Sequence, residues 1–132
     1  MITAIDTNIL LDVLAPDPRH SANSAALIEK AGDEGSLVIC EIVYAELAPR
    51  FPKREQLDRV LGRLSIELLP TNREALYLAG QAWRNYRAAG GQRTRILADF
   101  LIGAHANVCA DRLLSRDRGF CRRYFPDLQL LE

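Results

Sequence analysis

The sequence predicts an α/β domain in which helices cover both faces of a central parallel sheet. Short apolar runs alternate with longer segments whose apolar residues recur at helical spacing. This alternation is typical of parallel strands joined by right-handed helical crossovers. A chain of 132 residues fits one domain with one core. We therefore expect a single three-layer α/β/α domain over residues 1–132, with about five short strands.

Each strand is predicted from a short apolar run that ends at polar or turn-forming residues. The run from Ile2 to Ile5 ends at Asp6-Thr7-Asn8, and the run from Ile66 to Leu69 ends at Pro70. The expected strands, in chain order, are 2–5, 37–40, 66–69, 112–115 and 128–131.

Each helix is predicted from apolar residues three or four positions apart, and its end from proline or glycine. Residues 57–64 form such a stripe, and Gly90-Gly91 ends a long helix. A polar, basic linker at 92–95 follows that helix. The expected helices are 9–14, about 21–31, 43–48, 57–64, about 72–89, about 97–110 and a short one ending at 125.

Composition and charge set only broad limits. Hydrophobic residues make up 48% of the chain, and seventeen basic residues balance seventeen acidic ones, so no overall field indicates a nucleic acid or an anionic membrane. Cys40, Cys109 and Cys121 are odd in number and lie in apolar segments, which favours buried free thiols and a reducing cytoplasm. With no signal peptide and no run of ~18 apolar residues, we expect neither export nor membrane insertion.

Four acidic residues are candidates for one site. Asp6 ends the first strand and Asp117 follows the 112–115 strand, and open parallel sheets bind ligands beyond the carboxyl ends of their strands. Asp99 lies near the start of an apolar helix, where an acid needs a partner. Glu46 lies on an apolar helix that follows a strand end. These placements allow the four carboxylates to share one cleft.

Each of these acids also has an ordinary structural explanation. Asp6 and Asp99 could be helix N-caps, and Asp117 could form a turn. Glu46 could be a solvated helix residue. Glu41, five positions before Glu46, lies well round the helix from it and cannot do the same job.

A divalent cation is the simplest reason for acids to converge. Carboxylates in one cleft repel one another and raise their pKa values unless a cation neutralises them. An all-oxygen site suits Mg²⁺ or Mn²⁺, and His20 and His105 do not show metal-ligand spacing. Magnesium held by few carboxylates completes its shell with water and substrate phosphate, which indicates phosphate-ester chemistry.

The sequence settings of the four acids carry a family resemblance. They are Ile5-Asp6-Thr7-Asn8-Ile9-Leu10, Tyr44-Ala45-Glu46-Leu47, Ala98-Asp99-Phe100-Leu101-Ile102-Gly103-Ala104 and Leu114-Ser115-Arg116-Asp117-Arg118-Gly119-Phe120. In this order they resemble the PIN-domain nucleases, most closely the VapC-type toxins of bacterial toxin-antitoxin pairs. The resemblance spans the chain, although Ser115 stands where the family more often has Thr and Cys109-Ala110 also departs from it.

The resemblance implies a Mg²⁺- or Mn²⁺-dependent endoribonuclease that leaves a 5′-phosphate and a 3′-hydroxyl. In this family the four acids bind the metal, and two polar neighbours orient the ligands or a water molecule. The metal ligands implied are Asp6, Glu46, Asp99 and Asp117, and the neighbours are Asn8 and Ser115.

The resemblance also implies a homodimer and a cognate antitoxin. The apolar helices from Val43 to Leu64, with Phe51 between them, are the candidate docking surface for the antitoxin. Ordinary core is the alternative explanation for these apolar residues, and it explains Leu57, Val60, Leu61 and Leu64 equally well.

Arginines near the two later acids are candidates for gripping the RNA backbone. A solvated surface is their alternative explanation. They are Arg93, Arg95, Arg116, Arg118, Arg122 and Arg123.

Two other functions compete with a nuclease. A haloacid-dehalogenase-like phosphatase would use Asp6 as nucleophile but needs a catalytic lysine, and Lys30 and Lys53 both lie in early segments. A catalytically inactive PIN-type binding module is the other, and the presence of all four acids argues against it.

Overall fold

The computed structural model describes residues 1–15, 17–91 and 97–131. Short strands alternate with helices along the chain, as the sequence predicts. The strands are β1 (Ile2–Ile5), β2 (Ser36–Ile39), β3 (Ile66–Leu68) and β4 (Arg112–Leu114). The helices are α1 (Thr7–Leu14), α2 (Ser21–Glu34), α3 (Glu41–Leu47), α4 (Arg54–Arg63), α5 (Arg73–Ala88), α6 (Leu97–Cys109) and α7 (Arg118–Tyr124), with a 3-10 turn at Ala48–Arg50.

The four strands form one parallel sheet in the order β3-β2-β1-β4. The strand expected at 128–131 is reduced to an isolated parallel bridge between Leu113 and Leu130. Leu113 donates its N–H to the carbonyl of Gln129 and accepts from the N–H of Leu131, at 2.9 and 3.0 Å. Because β4 is only three residues long, it offers few backbone groups on that side.

The α/β fold class is confirmed.

Side-chain alternation along the strands separates the two helical layers. Thr3 pairs in register with Arg112, and Arg112 forms an ion pair at 3.2 Å with Glu34 of α2. The next residue, Leu113, faces the opposite way and lies beside Ile102 of α6. Helix α2 therefore covers one face of the sheet, and α6 covers the other.

An aromatic cluster joins α5, α6 and α7 on the second face. The fully buried ring of Phe100 lies 5.5, 5.0 and 5.7 Å from the ring centres of Tyr86, Phe120 and Tyr124. Gly103, one turn further along α6, allows the ring of Phe125 to approach closely. A Cβ atom on residue 103 would lie only 2.4 Å from Cε2 of Phe125. This packing fixes α6 against the sheet.

The helices from Val43 to Leu64 differ in part from the docking surface expected for them. Val43, Leu57 and Leu61 are buried in the core, which favours the ordinary explanation for them. Tyr44 and Phe51 are only half-buried. Helix α4 also begins earlier than its apolar stripe predicts, because its first turn is polar.

The three cysteines are free thiols, as the sequence predicts. Cys40 and Cys121 are buried, Cys109 is half-buried, and all three are free. Within residues 1–15, 17–91 and 97–131, no helix has both the length and the apolar character that crossing a membrane requires.

His105 is a buried histidine that ties α6 to the end of β3. Its Nε2 lies 2.7 Å from the carbonyl of Leu69, so that nitrogen carries the proton and donates it. Burial lowers the pKa of His105 below its ordinary value of 6.5, against smaller raising effects of the Leu69 hydrogen bond and the Glu41 charge. The folded protein therefore holds this histidine neutral at neutral pH.

We expect His105 to make stability depend on pH. Below about pH 6.5 the unfolded chain binds this proton before the folded chain does, so the free energy of unfolding falls as the pH decreases. Urea unfolding near pH 7.5 and pH 5.5 measures the fall. His105→Gln, whose amide can still donate, should show a smaller difference between the two pH values. An equal difference in both proteins would contradict this role.

Candidate active site

The order of the strands creates a switch point between β1 and β4. From β1 the chain winds outward through β2 to β3, and β4 then adds on the other side of β1. In open parallel sheets, ligands bind at such a reversal, beyond the carboxyl ends of the strands. Asp6 follows β1 there, and its N–H donates to the carbonyl of Leu114 in β4 at 2.9 Å.

Three of the four acids predicted from the sequence line one cleft at this switch point. Asp6 comes from the end of β1, Asp99 from the first turn of α6, and Asp117 from the residue before α7. The cleft has a volume of about 10 Å³, which is room for one water-sized particle. Its walls are Ile102, Gly103, Leu113, Phe120 and Cys121.

Ser115 and Asn8 both contact the carboxylate of Asp6. The Ser115 hydroxyl donates to Asp6 Oδ2 at 2.6 Å, and the Asn8 amide donates to the same oxygen at 3.3 Å. Ser115 Oγ in turn accepts the backbone N–H of Asp117 at 3.0 Å. One hydroxyl thus links the two acids that follow β1 and β4.

Burial and neighbouring acids shape the charge of Asp6. Burial raises the pKa of Asp6, and the charges of Glu46 and Asp99 raise it further. Hydrogen bonds from the Ser115 side chain and the Thr7 backbone act in the lowering direction but do not outweigh burial. Glu46 and Asp99 are therefore close enough for their charges to oppose the ionisation of Asp6.

Glu46 is held beside this cleft by a residue that the sequence reasoning missed. Thr7 is buried at the start of α1, and its hydroxyl donates to Glu46 Oε1 at 2.7 Å. Glu46 itself is an exposed residue of α3. The sequence does indicate this role in one respect, because Thr7 directly follows Asp6 at the edge of the sheet that carries the acids.

Helix capping does not explain the three aspartates. Asp6 and Asp117 stand at the N-cap positions of α1 and α7, but neither side chain forms a capping hydrogen bond. Asp99 lies inside the first turn of α6 rather than before it. Their placement therefore needs another reason.

The donor set fits a hard divalent cation in its chemistry. Carboxylate and hydroxyl oxygens are the donors that Mg²⁺ and Mn²⁺ prefer. Across the residues that the structure describes, however, no three His, Cys, Asp or Glu side chains are grouped as a ready metal site. Binding a cation in this cleft would therefore require the carboxylates to rotate toward it.

The arginines expected to contact RNA are arranged differently from one another. Arg116 directs its guanidinium to Asp12, with Nε 2.8 Å from Oδ2 and Nη2 3.0 Å from Oδ1, instead of presenting it to solvent. Arg118 is half-buried at the start of α7, next to Asp117. Arg122 and Arg123 are exposed on the same helix, and Arg93 and Arg95 lie outside the described residues.

Comparison with solved structures identifies the same fold. One chain in the structure of VapBC-1 from nontypeable Haemophilus influenzae is 23% identical, with a TM-score of 0.73, and the match covers 100% of this chain and 98% of that one. A chain of VapBC2 from Rickettsia felis, bound to a DNA fragment from the promoter, is 22% identical with a TM-score of 0.72, covering 99% and 98%. A chain of a toxin-antitoxin complex from Klebsiella pneumoniae is 18% identical with a TM-score of 0.66, covering 98% and 96%.

The sequence was also compared with curated proteins and with models of protein families. No curated protein matches the chain. The family model of the PIN domain, however, matches residues 3–126, which include all four acids. This match confirms the family that the sequence motifs resemble. The chain belongs to the PIN domain family.

Proposed function

We propose that this protein is a Mg²⁺- or Mn²⁺-dependent endoribonuclease and the toxin of a toxin-antitoxin pair. The observation that carries the proposal is the cleft at the sheet's switch point, where Asp6, Asp99 and Asp117 converge. Membership of the PIN domain family and the likeness in fold to chains of toxin-antitoxin complexes support it.

The acids of the cleft would hold the cation, and their neighbours would orient them. Asp6, Asp99 and Asp117 are the proposed ligands in the cleft, and Glu46 is the proposed fourth. A cation bound there would lower the pKa of a water molecule and would stabilise negative charge on a phosphodiester. Ser115 donates a hydrogen bond to one oxygen of Asp6 and would thereby orient that carboxylate.

The proposed partners are RNA, a cognate antitoxin and a second copy of the chain, in the cytoplasm. Arg118, beside Asp117 on α7, is the best placed of the described arginines to contact the RNA backbone. For the antitoxin, Tyr44 and Phe51 line a groove of about 150 Å³ with Lys53 and Arg54. Such a groove suits an amphipathic segment with apolar and acidic side chains.

The phosphatase alternative lacks the lysine that its chemistry needs. Lys30 lies on α2 and Lys53 immediately precedes α4, and neither is among the residues that line the acidic cleft. Nothing in the described structure favours a covalent aspartyl intermediate at Asp6.

RNA cleavage by the purified protein tests the proposal. We expect cleavage with Mg²⁺ or Mn²⁺, none with EDTA, and none for Asp99→Asn. Induction in cells should stop growth for the wild type only. Cleavage that is unchanged by the chelator or the substitution would refute metal-dependent catalysis. Release of phosphate from a phosphomonoester, without RNA cleavage, would instead support the phosphatase.

We expect the Thr7 hydroxyl to be required for full activity. Thr7→Val removes the hydrogen bond to Glu46 and leaves that carboxylate free to rotate, so cleavage should slow by about 10- to 100-fold. Thr7→Ser keeps the hydroxyl and is the matched control. Single-turnover RNA cleavage measures the effect. Equal rates for the Val and Ser variants would show that this hydrogen bond does not position Glu46.

A further inference from the structure

Asp12 is a buried carboxylate on α1 that the proposed chemistry does not use. It is 3% exposed, and its Oδ2 accepts from the Ser24 hydroxyl at 2.7 Å and from Arg116 Nε at 2.8 Å. Arg116 Nη2 donates to the second oxygen at 3.0 Å, which completes a two-pronged pair. Burial alone would raise the pKa of Asp12, but the hydrogen bonds from Arg116 and Ser24 lower it overall.

The backbone of Arg116 is bound to the same face of α1. Its N–H donates to Asn8 Oδ1 at 3.2 Å. Asn8 and Asp12 are four residues apart, so their side chains lie one above the other on the helix. Residues 115–117 are thus attached to α1 at two points, and both Ser115 and Asp117 of this segment belong to the proposed site.

We infer that the ion pair between Asp12 and Arg116 is a positioning device for the acidic cleft. The guanidinium locks residues 115–117 onto α1, and this fixes the Ser115 hydroxyl against Asp6 and the backbone that carries Asp117. The inference rests on the proposed function of that cleft. It makes Arg116 a positioning residue rather than an RNA contact.

An RNA-binding role for Arg116 conflicts with its surroundings. Its side chain is 39% exposed, but the charged end is engaged by a carboxylate whose side chain is only 4% exposed. To reach a phosphate, Arg116 would have to leave Asp12 buried without its partner, which is strongly unfavourable. Arg118, the first residue of α7, carries no comparable ion pair among those that the described residues show.

Kinetics and metal binding separate positioning from RNA binding. Arg116→Gln and Asp12→Asn should each lower kcat and weaken Mn²⁺ binding by about 10- to 100-fold, with KM for RNA nearly unchanged. Arg116→Lys should recover little, because an ammonium group cannot form two parallel hydrogen bonds. The double variant should be no worse than the worse single variant. Arg59→Gln, an exposed arginine on α4, is the matched control.

Amide hydrogen exchange tests the inference without metal or RNA. In Arg116→Gln and Asp12→Asn, the amides of Arg116 and Asp117 should exchange faster, whereas Arg59→Gln should match the wild type. Circular dichroism verifies that each variant is folded. If the two variants exchange faster but the wild type itself cleaves no RNA, the positioning role is supported and the proposed function is refuted. Unchanged exchange, or a higher KM with unchanged kcat, would overturn the inference.

Discussion

Replacing Asp6 with asparagine is expected to lower RNA cleavage by about 10²- to 10⁴-fold without lowering the melting temperature. A metal site stabilises a phosphoryl transition state by several kcal/mol, and each 1.36 kcal/mol corresponds to about tenfold in rate. Asp6 is the acid to which Ser115 and Asn8 are both bound, so its charge is central to the site. Asparagine keeps an oxygen that can accept these hydrogen bonds.

The same substitution should leave stability equal or higher. Because burial and the charges of Glu46 and Asp99 raise the pKa of Asp6, its ionised form opposes folding at neutral pH, and asparagine removes that cost. Thermal unfolding and single-turnover cleavage are measured on the same preparation. Asp33→Asn, an exposed acid on α2, is the control that should change neither. Full activity, or a large fall in the melting temperature, would contradict the role given to Asp6.

Replacing Phe100 with alanine is expected to lower the free energy of unfolding by about 3–5 kcal/mol. Phe100 is fully buried, and three aromatic rings pack against it within 6 Å. The substitution leaves a cavity where α5, α6 and α7 meet, which those helices cannot close without losing contact with the sheet. Urea unfolding measures the change.

Tyr77→Ala is the matched control for Phe100. The Tyr77 side chain on α5 is 71% exposed, so its loss should change the free energy of unfolding by about 0.5 kcal/mol or less. A loss for Phe100→Ala as small as that of the control would show that the aromatic cluster does not hold α6 in place.

Most of the fold could be predicted because apolar runs and their breaks mark buried strands and helix ends. The run from Ile2 to Ile5 is β1 in full, and β2 begins one residue before its predicted start. The polar first turn of α4 cannot be predicted in this way, since it has no apolar residues at helical spacing. The 128–131 segment has strand-like composition, but the short β4 gives it only one bridging partner.

The candidate site was less accessible to sequence reasoning where it depends on distant contacts. The strand ends predict Asp6 and Asp117 because parallel strands share an edge. The hydrogen bond of Thr7 to Glu46 joins residues 39 positions apart, and the pair of Arg116 and Asp12 joins residues 104 apart. Neither is visible in a local pattern, and Arg116 therefore resembled a surface cation.

Titration of the protein with Mn²⁺, followed by calorimetry, tests most directly whether these acids form a metal site. The wild type should bind Mn²⁺, Asp99→Asn should bind it at least about tenfold more weakly, and Asp33→Asn should match the wild type. Equal Mn²⁺ affinity in the wild type and Asp99→Asn would contradict the assignment of this cleft as the metal centre.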